Sequence, residues 1–168
     1  ANLTLSGWQV APILSLRSAQ QFTVYAGTDR ALSAVANQPA QYLGGDVYNA
    51  NKTVDHWLNP AAFGLAPFGS YGNLGYNNLK GPGVVQINLA VSRNFKVREK
   101  VTMQIRAEAF NLPNHLNPAS PGTVTGGVSN GQNFNAPNFG QITSDISGNA
   151  GGTPGDYRVV QLAAKFMF

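Results

Sequence analysis

Two neighbouring segments of the sequence, residues 84–95 and 100–111, alternate apolar and polar side chains, and this pattern constrains the fold more than any other feature. A period of two is typical of a β-strand with one apolar face. The apolar series is Val85, Ile87, Leu89 and Val91 in the first segment, and Val101, Met103, Ile105, Ala107 and Ala109 in the second. The two segments therefore predict a β-hairpin.

The register of this hairpin decides which residues share a face. With a turn about Val97 and Arg98, the predicted pairs are Phe95 with Val101, Val91 with Ile105, and Leu89 with Ala107. A slip of one residue would move the whole apolar set to the opposite face. That opposite face carries Gln86, Asn88, Ser92, Gln104, Arg106 and Glu108.

Two further strands are predicted at the ends of the chain, over residues 7–26 and 156–168. The first is weakened by Pro12, which lacks an N–H for the ladder and is tolerated mainly on edge strands or at bulges. Residues 22–26 extend this strand or form a short strand of their own. In the second, the apolar positions share one parity: Val160, Leu162, Ala164, Phe166 and Phe168.

Long loops are predicted over residues 27–83 and 112–155, because 19 glycines and 10 prolines interrupt regular structure in a chain of 168 residues. The first loop is rich in aromatic residues, so we expect it to fold on itself or onto a neighbour. These residues are Tyr42, Tyr48, Trp57, Phe63, Phe68, Tyr71 and Tyr76.

Loop lengths alternate between long and short, and this asymmetry favours a membrane barrel. If the strands run up and down, the short turn lies at one end of the sheet, and a predicted aromatic girdle lies there too. Its members are Trp8, Phe95, Phe166 and Phe168. Alternating strands of about 10 residues, with short turns and aromatic residues at one end, are typical of a transmembrane β-barrel. We therefore expect an all-β fold of about four to six antiparallel up-and-down strands of an outer-membrane-type barrel.

The sequence offers little support for catalysis or cofactor binding. It contains no cysteine and two histidines, His56 and His115, which we interpret as loop residues. The sequence GVSNG at residues 127–131 fits the GxSxG pattern, but it lies in a predicted loop and not in the strand-to-helix turn that the nucleophile motif requires. There is no phosphate-binding loop, so we expect a non-enzymatic protein without metal or cofactor. We interpret Arg106 and Glu108 as an ion pair that lines a polar lumen.

The formal charge of +4 does not indicate nucleic-acid binding. Basic residues are scattered, apart from Arg93, Lys96, Arg98 and Lys100 around the hairpin turn. A short basic turn is typically a solvated hairpin tip, and no platform of aromatic residues for single-stranded nucleic acid accompanies it.

Several motifs in fixed order resemble the C-terminal part of TonB-dependent outer-membrane receptors, covering essentially the whole chain. They are GWQV, QFTV, WLNPAAF, FGSYGNLGYNNLKGPG, SRNF, IRAEAFNLPNHLNP and NFGQI, followed by a terminal strand ending in phenylalanine. The sequence most resembles the Oar-like class with a carboxypeptidase-regulatory-like N-terminal domain, abundant in Acidobacteria.

This resemblance implies a Gram-negative outer membrane and a barrel of about 22 strands, of which the chain supplies roughly the last fifth. It also implies a signal that the barrel-assembly machinery reads, formed by Val160, Leu162, Ala164, Phe166 and Phe168. The implied partners are outer-membrane lipid, the remaining barrel strands and the assembly machinery. The long loops would face the exterior and contribute to substrate uptake.

The sequence departs from the family pattern at Pro12 and at Asn88, where an acidic residue is expected. It contains no TonB box and no plug domain, and it begins at Ala1 without a signal peptide. A second hypothesis is therefore a processed or orphan fragment whose copies pair edge to edge as an oligomer, filament or tube, located outside the cell. A third is a secreted β-sandwich that binds carbohydrate through the aromatic loop.

Overall fold

The computed structural model describes residues 6–121, 134–147 and 157–168. Within these ranges all the regular structure except one short 3₁₀ helix, Pro60–Ala62, is β-strand. The strands are β1 Trp8–Arg17, β2 Gln21–Phe22, β3 Gln41–Tyr42, β4 Phe63–Gly64, β5 Leu79–Lys80, β6 Val84–Arg98, β7 Val101–Phe110 and β8 Val159–Met167. The predicted all-β antiparallel fold is confirmed. Residues 122–133 and 148–155 of the predicted second loop, and residue 156, lie outside the described residues.

The chain divides into two compact units. The first, called here the sheet unit, contains Ala1–Arg17, Val84–Leu116 and Asp156–Phe168. The second, called the loop unit, contains Ser18–Gly83 and Asn117–Gly155, and so consists of the two long connections between strands.

The sheet unit is a four-stranded antiparallel sheet with the order β1-β6-β7-β8. Arg17 lies opposite Val84, and Phe110 lies opposite Val159, so both long connections leave the sheet from the same end. The hairpin turn lies at the other end. In the described part of the chain β1 pairs only with β6, and β8 pairs only with β7, so the sheet is open at both edges.

The hairpin register differs from the predicted one by two residues. Leu89 pairs with Ala109, Val91 with Ala107, and Phe95 with Met103. The turn comprises only Glu99 and Lys100, and the register shifts between Lys96 and Arg98, where β6 contains one extra residue. Both registers place apolar residues opposite apolar residues, so alternation alone does not distinguish them. The bulge and the two-residue turn set the observed register.

The first strand is shorter than predicted, because β1 ends at Arg17 and β2 pairs with β5 in a separate sheet. Pro12 lies within β1, opposite Leu89. Since β1 is an edge of the four-stranded sheet, the position of Pro12 agrees with the confinement of proline to edge strands.

The loop unit has a hydrophobic core of its own. Its buried members include Phe22, Val24, Ala40, Leu58, Ala62, Phe63, Leu74, Leu79, Phe134 and Phe139. The rings of Phe63, Phe134 and Phe139 contact one another, with centroids 5.5–6.3 Å apart. Because Phe63 belongs to the first long connection and the other two belong to the second, the two connections fold together. The expectation that the aromatic loop packs on itself or a neighbour is confirmed for Phe63, Tyr48 and Trp57, while Phe68, Tyr71 and Tyr76 are exposed.

Hydrogen bonds also join the two connections within the loop unit. Ile142 N–H donates to Val54 O at 2.7 Å, and Gln141 Nε2 donates to Asp55 Oδ1 at 3.1 Å. Gly140, with a φ of +73°, lies so close to Leu58 that an added Cβ would fall 2.7 Å from the Leu58 Cβ. Glycine is required at this position both for the backbone conformation and for the close approach.

A tight turn in the loop unit is organised by Asp29 and Gln38. The Asp29 carboxylate accepts hydrogen bonds from Ser33 N–H at 3.0 Å, Ala34 N–H at 2.6 Å and Gln38 Nε2 at 2.5 Å. Gln38, buried at 1 % exposure, accepts through Oε1 from Arg30 N–H and from Ala31 N–H. These bonds satisfy the backbone where no strand or helix does so.

Candidate functional site

Strand pairing sorts the side chains of the sheet unit onto two faces, as the alternation predicts. Residues that pair across antiparallel strands point to the same side of the sheet. One face is apolar apart from Arg93, and its apolar members are Trp8, Val10, Pro12, Leu14, Leu16, Val85, Ile87, Leu89, Val91, Phe95, Met103, Ile105, Ala107, Ala109, Val160, Leu162, Ala164 and Phe166.

Four residues of the predicted assembly signal lie on this apolar face. Val160 pairs with Ala109, Leu162 with Ala107, Ala164 with Ile105 and Phe166 with Met103. Phe168 follows the end of β8 and is exposed. The face is available to an external binding partner along β8, and recognition by the assembly machinery stays a prediction.

The predicted aromatic girdle falls at the turn end of the apolar face. Phe95 and Phe166 both pair with Met103, from its two sides, and Trp8 lies opposite Arg93 on the neighbouring strand. The Arg93 guanidinium carbon is 5.2 Å from the centroid of the Trp8 ring and 4.7 Å from that of Phe95. Arg93 was predicted only as part of the basic turn, although its odd-numbered position on β6 already assigns it to the apolar face.

The predicted lumen-facing residues all lie on the opposite face. Gln86 pairs with Ser15, Asn88 with Ile13, Ser92 with Gln9 and with Arg106, Gln104 with Asn94, and Glu108 with Ala90. This face also contains apolar residues, including Ile13 and Val159. It is therefore mixed, in contrast to the nearly continuous apolar surface on the other side of the sheet.

Glu108 is the centre of a charged network on this polar face. Its carboxylate accepts from Arg106 Nη2 through Oε1 and from Gln161 Nε2 through Oε2. The Arg106–Glu108 ion pair agrees with the sequence interpretation, whereas the role of Gln161 required knowledge of the β7–β8 register. The network joins β7 and β8 on the polar face of the sheet and contains no nucleophile. That this face lines a lumen stays a prediction.

A turn follows β7 at the end of the sheet from which the long connections leave. Asn111 N–H donates to Asn88 Oδ1 at 2.9 Å, and the Asn111 side chain both donates to His115 O at 2.8 Å and accepts from His115 N–H at 3.0 Å. Asn114 Oδ1 accepts from Arg158 N–H at 2.9 Å, which connects the turn to the residue before β8. Asn88, where the resemblance predicts an acidic residue, thus holds the turn.

The loop unit exposes several aromatic rings. Phe68 is 73 % exposed, and Tyr71 and Tyr76 are also exposed. The Arg30 guanidinium carbon lies 3.7 Å from the Phe68 ring centroid, and Arg30 Nε donates to Ala66 O at 2.7 Å. These contacts hold the Phe68 ring in place while leaving much of it accessible.

A shallow cleft of about 260 Å³ also lies in the loop unit, lined by Tyr42, Val47, Asn73, Leu74, Asn78 and Leu79. The amide oxygen of Asn73 accepts from Tyr42 N–H at 2.7 Å, and Asn78 Nδ2 donates to Leu74 O at 2.9 Å. Both amides therefore stabilise the loop as well as lining the cleft.

The two histidines are separate loop residues. His56 N–H donates to Thr53, and His115 exchanges backbone hydrogen bonds with the side chain of Asn111. In the part of the chain that the structure describes, no three His, Cys, Asp or Glu residues are grouped so as to hold a metal ion.

A known protein family matches the sequence. The family model described as "Outer membrane beta barrel domain" matches residues 1–161. A search of curated proteins and a search of solved structures each found no match to the chain. No helix among the described residues has both the length and the apolar character needed to cross a membrane.

The open antiparallel sheet with one apolar face defines a segment of a β-barrel. The chain belongs to the outer membrane β-barrel domain family. Its location is the cell outer membrane, and it associates with outer-membrane lipid.

Proposed function

We propose that this chain is the C-terminal barrel segment of a TonB-dependent outer-membrane transporter, and that its loop unit contributes to substrate capture. In this proposal the protein transports its substrate and does not transform it chemically. The apolar face contacts lipid, and the Arg106–Glu108–Gln161 network faces the lumen. The motif resemblance is the basis for naming TonB-dependent transport in particular.

The observation that carries the proposal is the shape of the sheet unit and its connections. Four strands cannot enclose a lumen, since about eight strands are needed for a filled barrel. Both open edges, at β1 and β8, therefore need partner strands. A larger barrel supplies these partners, and both long connections leave the sheet from one end, as extracellular loops do.

The structure of the loop unit favours a role in substrate capture over a role as a passive cover of the barrel. It has its own core, yet it exposes the rings of Phe68, Tyr71 and Tyr76. A folded loop that presents aromatic rings is suited to binding a solute. The rings are already held in place, so binding does not carry the entropy cost of ordering a flexible loop.

The two open edges also support a second candidate function, a self-assembling structural protein. Copies of the chain could supply each other's missing strands, with β8 of one copy beside β1 of the next. Such head-to-tail pairing closes into a ring or propagates as a filament. In that case the exposed aromatic residues of the loop unit would be packing surfaces between copies.

The experiment that separates these candidates is the intact mass of the natural product in the outer-membrane fraction, combined with electron microscopy. We expect a polypeptide of about 100 kDa in detergent, the size of a barrel of about 22 strands with a plug. A chain of 17.8 kDa in detergent-free fibres would contradict the transporter and support self-assembly.

Energy coupling needs its own test. We expect the purified periplasmic domain of TonB to crosslink to the full-length protein. Removal of the N-terminal region of the full-length protein should abolish this crosslink. A full-length barrel that gives no crosslink under conditions where a known TonB-dependent receptor does so would contradict TonB coupling.

A further inference from the structure

Arg93 interrupts the apolar face of the sheet unit. It lies on β6 between Val91 and Phe95, and it pairs with Trp8 on one side and Ile105 on the other. An arginine on the lipid face of a barrel costs about 2–4 kcal/mol at the bilayer midplane and about 0–1 kcal/mol near the interfaces. Its position close to the hairpin turn therefore places the charge where the membrane tolerates it.

Two aromatic rings surround the Arg93 guanidinium. Its carbon is 5.2 Å from the Trp8 ring centroid and 4.7 Å from that of Phe95, within the range of cation–π contacts. These contacts use the faces of the rings. They are compatible with hydrogen bonds from the edge of the guanidinium, whose planar N–H groups fit two phosphate oxygens at once.

Arg93 is half-buried at the turn end of the sheet and borders a cleft. This cleft of about 420 Å³ is also lined by Ser6, Gly7, Asn94, Phe95, Lys96 and Thr102. Asn94, Lys96 and Thr102 have the even-numbered positions of the polar face, so Arg93 carries the positive charge on the apolar face at this height. Aromatic belts of membrane proteins lie at the level of the lipid headgroups, so an anionic headgroup is the complementary group at this height.

We propose that Arg93, held between Trp8 and Phe95, binds the phosphate of an anionic phospholipid in the leaflet at the turn end of the sheet. This inference rests on membership of the outer-membrane barrel family, and it is independent of TonB coupling. It goes beyond general association with lipid, because it assigns one headgroup class to three named residues.

The test is native mass spectrometry of the full-length protein, extracted in its assembled form and exchanged into mixed micelles of phosphatidylglycerol and phosphatidylcholine. We expect Arg93→Gln to lower the retained ratio of phosphatidylglycerol to phosphatidylcholine by about fivefold, since one basic residue near a membrane surface contributes about 1 kcal/mol. Lys96→Gln is the matched control: it removes the same charge three residues away, on the polar face, and we expect a change below about twofold.

Two further variants separate a built site from general charge. Arg93→Lys keeps the charge and removes the planar fork, so we expect an intermediate ratio. Phe95→Leu keeps Arg93 and removes one ring, and we expect a decrease of about two- to fivefold from the lost cation–π contact. Heat-modifiable gel mobility verifies that each variant is folded.

The proposal is overturned if Arg93→Gln and Lys96→Gln lower the lipid ratio equally, or if neither Arg93→Gln nor Phe95→Leu changes it. Inorganic phosphate added in excess distinguishes the source of the anion. We expect bound phosphatidylglycerol to persist, and its displacement by inorganic phosphate would identify a site for a free anion instead.

Discussion

The sheet unit and the loop unit place their apolar side chains in opposite ways. Leu14 and Leu162, on the apolar face of the sheet, are 61 % and 79 % exposed, whereas Val24 and Leu58 in the loop unit are 0 % and 1 % exposed. The loop unit removes its apolar surface from water by folding on itself. The sheet unit instead displays apolar surface, and so requires an apolar environment outside the chain.

This difference shows why regular alternation and irregular sequence occur together in one chain. A strand in a membrane barrel satisfies its backbone through neighbouring strands and its outer side chains through lipid. The loop unit has few β-ladders, and its structure is stabilised by turns, side-chain hydrogen bonds and a compact core. Mutations therefore should act through different mechanisms in the two units, and four predictions test this.

The largest effect is expected in the core of the loop unit. Leu58→Ala should destabilise this unit by about 2–5 kcal/mol, because it leaves a cavity beside Phe63 and Gly140 in a closely packed core. Hydrogen exchange of the amides in residues 40–63 measures the change. Leu32→Ala, at a position 73 % exposed, is the matched control and should change exchange little. Equal effects of the two substitutions would show that the loop unit lacks a specific core.

A slightly smaller effect is expected at the middle of the sheet. Leu89→Arg places a charge on the apolar face and should cost about 2–4 kcal/mol near the bilayer midplane. Reversible folding of the full-length barrel into bilayers measures this loss. Ala90→Arg, one residue along β6 on the polar face and opposite Glu108, is the control and should be nearly neutral. A silent Leu89→Arg would mean that the apolar face does not contact lipid.

The turn after β7 provides a test of the boundary of the sheet unit. Asn111 has a φ of +50°, which asparagine tolerates better than most residues, and its side chain makes two hydrogen bonds with His115. Asn111→Ala should destabilise the turn by about 1–3 kcal/mol, because it removes two hydrogen bonds that contribute about 0.5–1.5 kcal/mol each. Faster exchange of the His115 amide is the expected signal. Leu112→Ala, an exposed neighbour, should leave that amide unchanged.

The smallest effect is expected from pH, at Asp29 in the loop unit. Hydrogen bonding from the Ser33 N–H, and less strongly from Ala34 and Gln38, holds the Asp29 pKa below its ordinary value of 3.8, against a partial opposing effect of desolvation. Because the folded-state pKa is lowered, the ionised carboxylate stabilises the turn fully above the unfolded-state value, and this contribution is lost as pH falls through the folded-state pKa.

The corresponding measurement is the protection of the Ser33 and Ala34 amides between neutral pH and about pH 2. Protection should be constant at neutral pH and fall in the acid range. Asp29→Asn should lower protection at neutral pH and remove its acid dependence. An acid transition that survives in Asp29→Asn would assign the pH dependence to another group.

The faces of the sheet could be predicted from the sequence, but its register could not. Alternation assigned Leu89, Val91 and Ile105 to one face because a strand has a strict period of two. Registers that differ by two residues preserve those faces, and the extra residue between Lys96 and Arg98 has no signature in the alternation. The pairing of Glu108 with Gln161 depends on the register of β8, and for that reason sequence analysis missed it.

The core of the loop unit was harder to predict. Its members come from distant segments whose sequences show no periodic pattern. Packing of Phe63 within the loop could therefore be predicted, but its contacts with Phe134 and Phe139 could not. Other aromatic residues of the same loop, such as Tyr71, are exposed, because composition predicts collapse without assigning partners. Arg93 shows a different limit: its face follows from parity, while its contacts with Trp8 required the register of β1.

The stagger of strands along β6 determines how thick a membrane this sheet fits. β1 pairs with residues 84–93 of β6, whereas β7 pairs with residues 89–98, so successive neighbours are displaced along the same strand. Displacement of this kind inclines the strands of a closed barrel by about 35–45°. A strand of 10 residues such as β1 is about 33 Å long, and at that inclination it spans about 25 Å, the height of the apolar band of an outer-membrane barrel. The register thus matches the protein to the thickness of its bilayer.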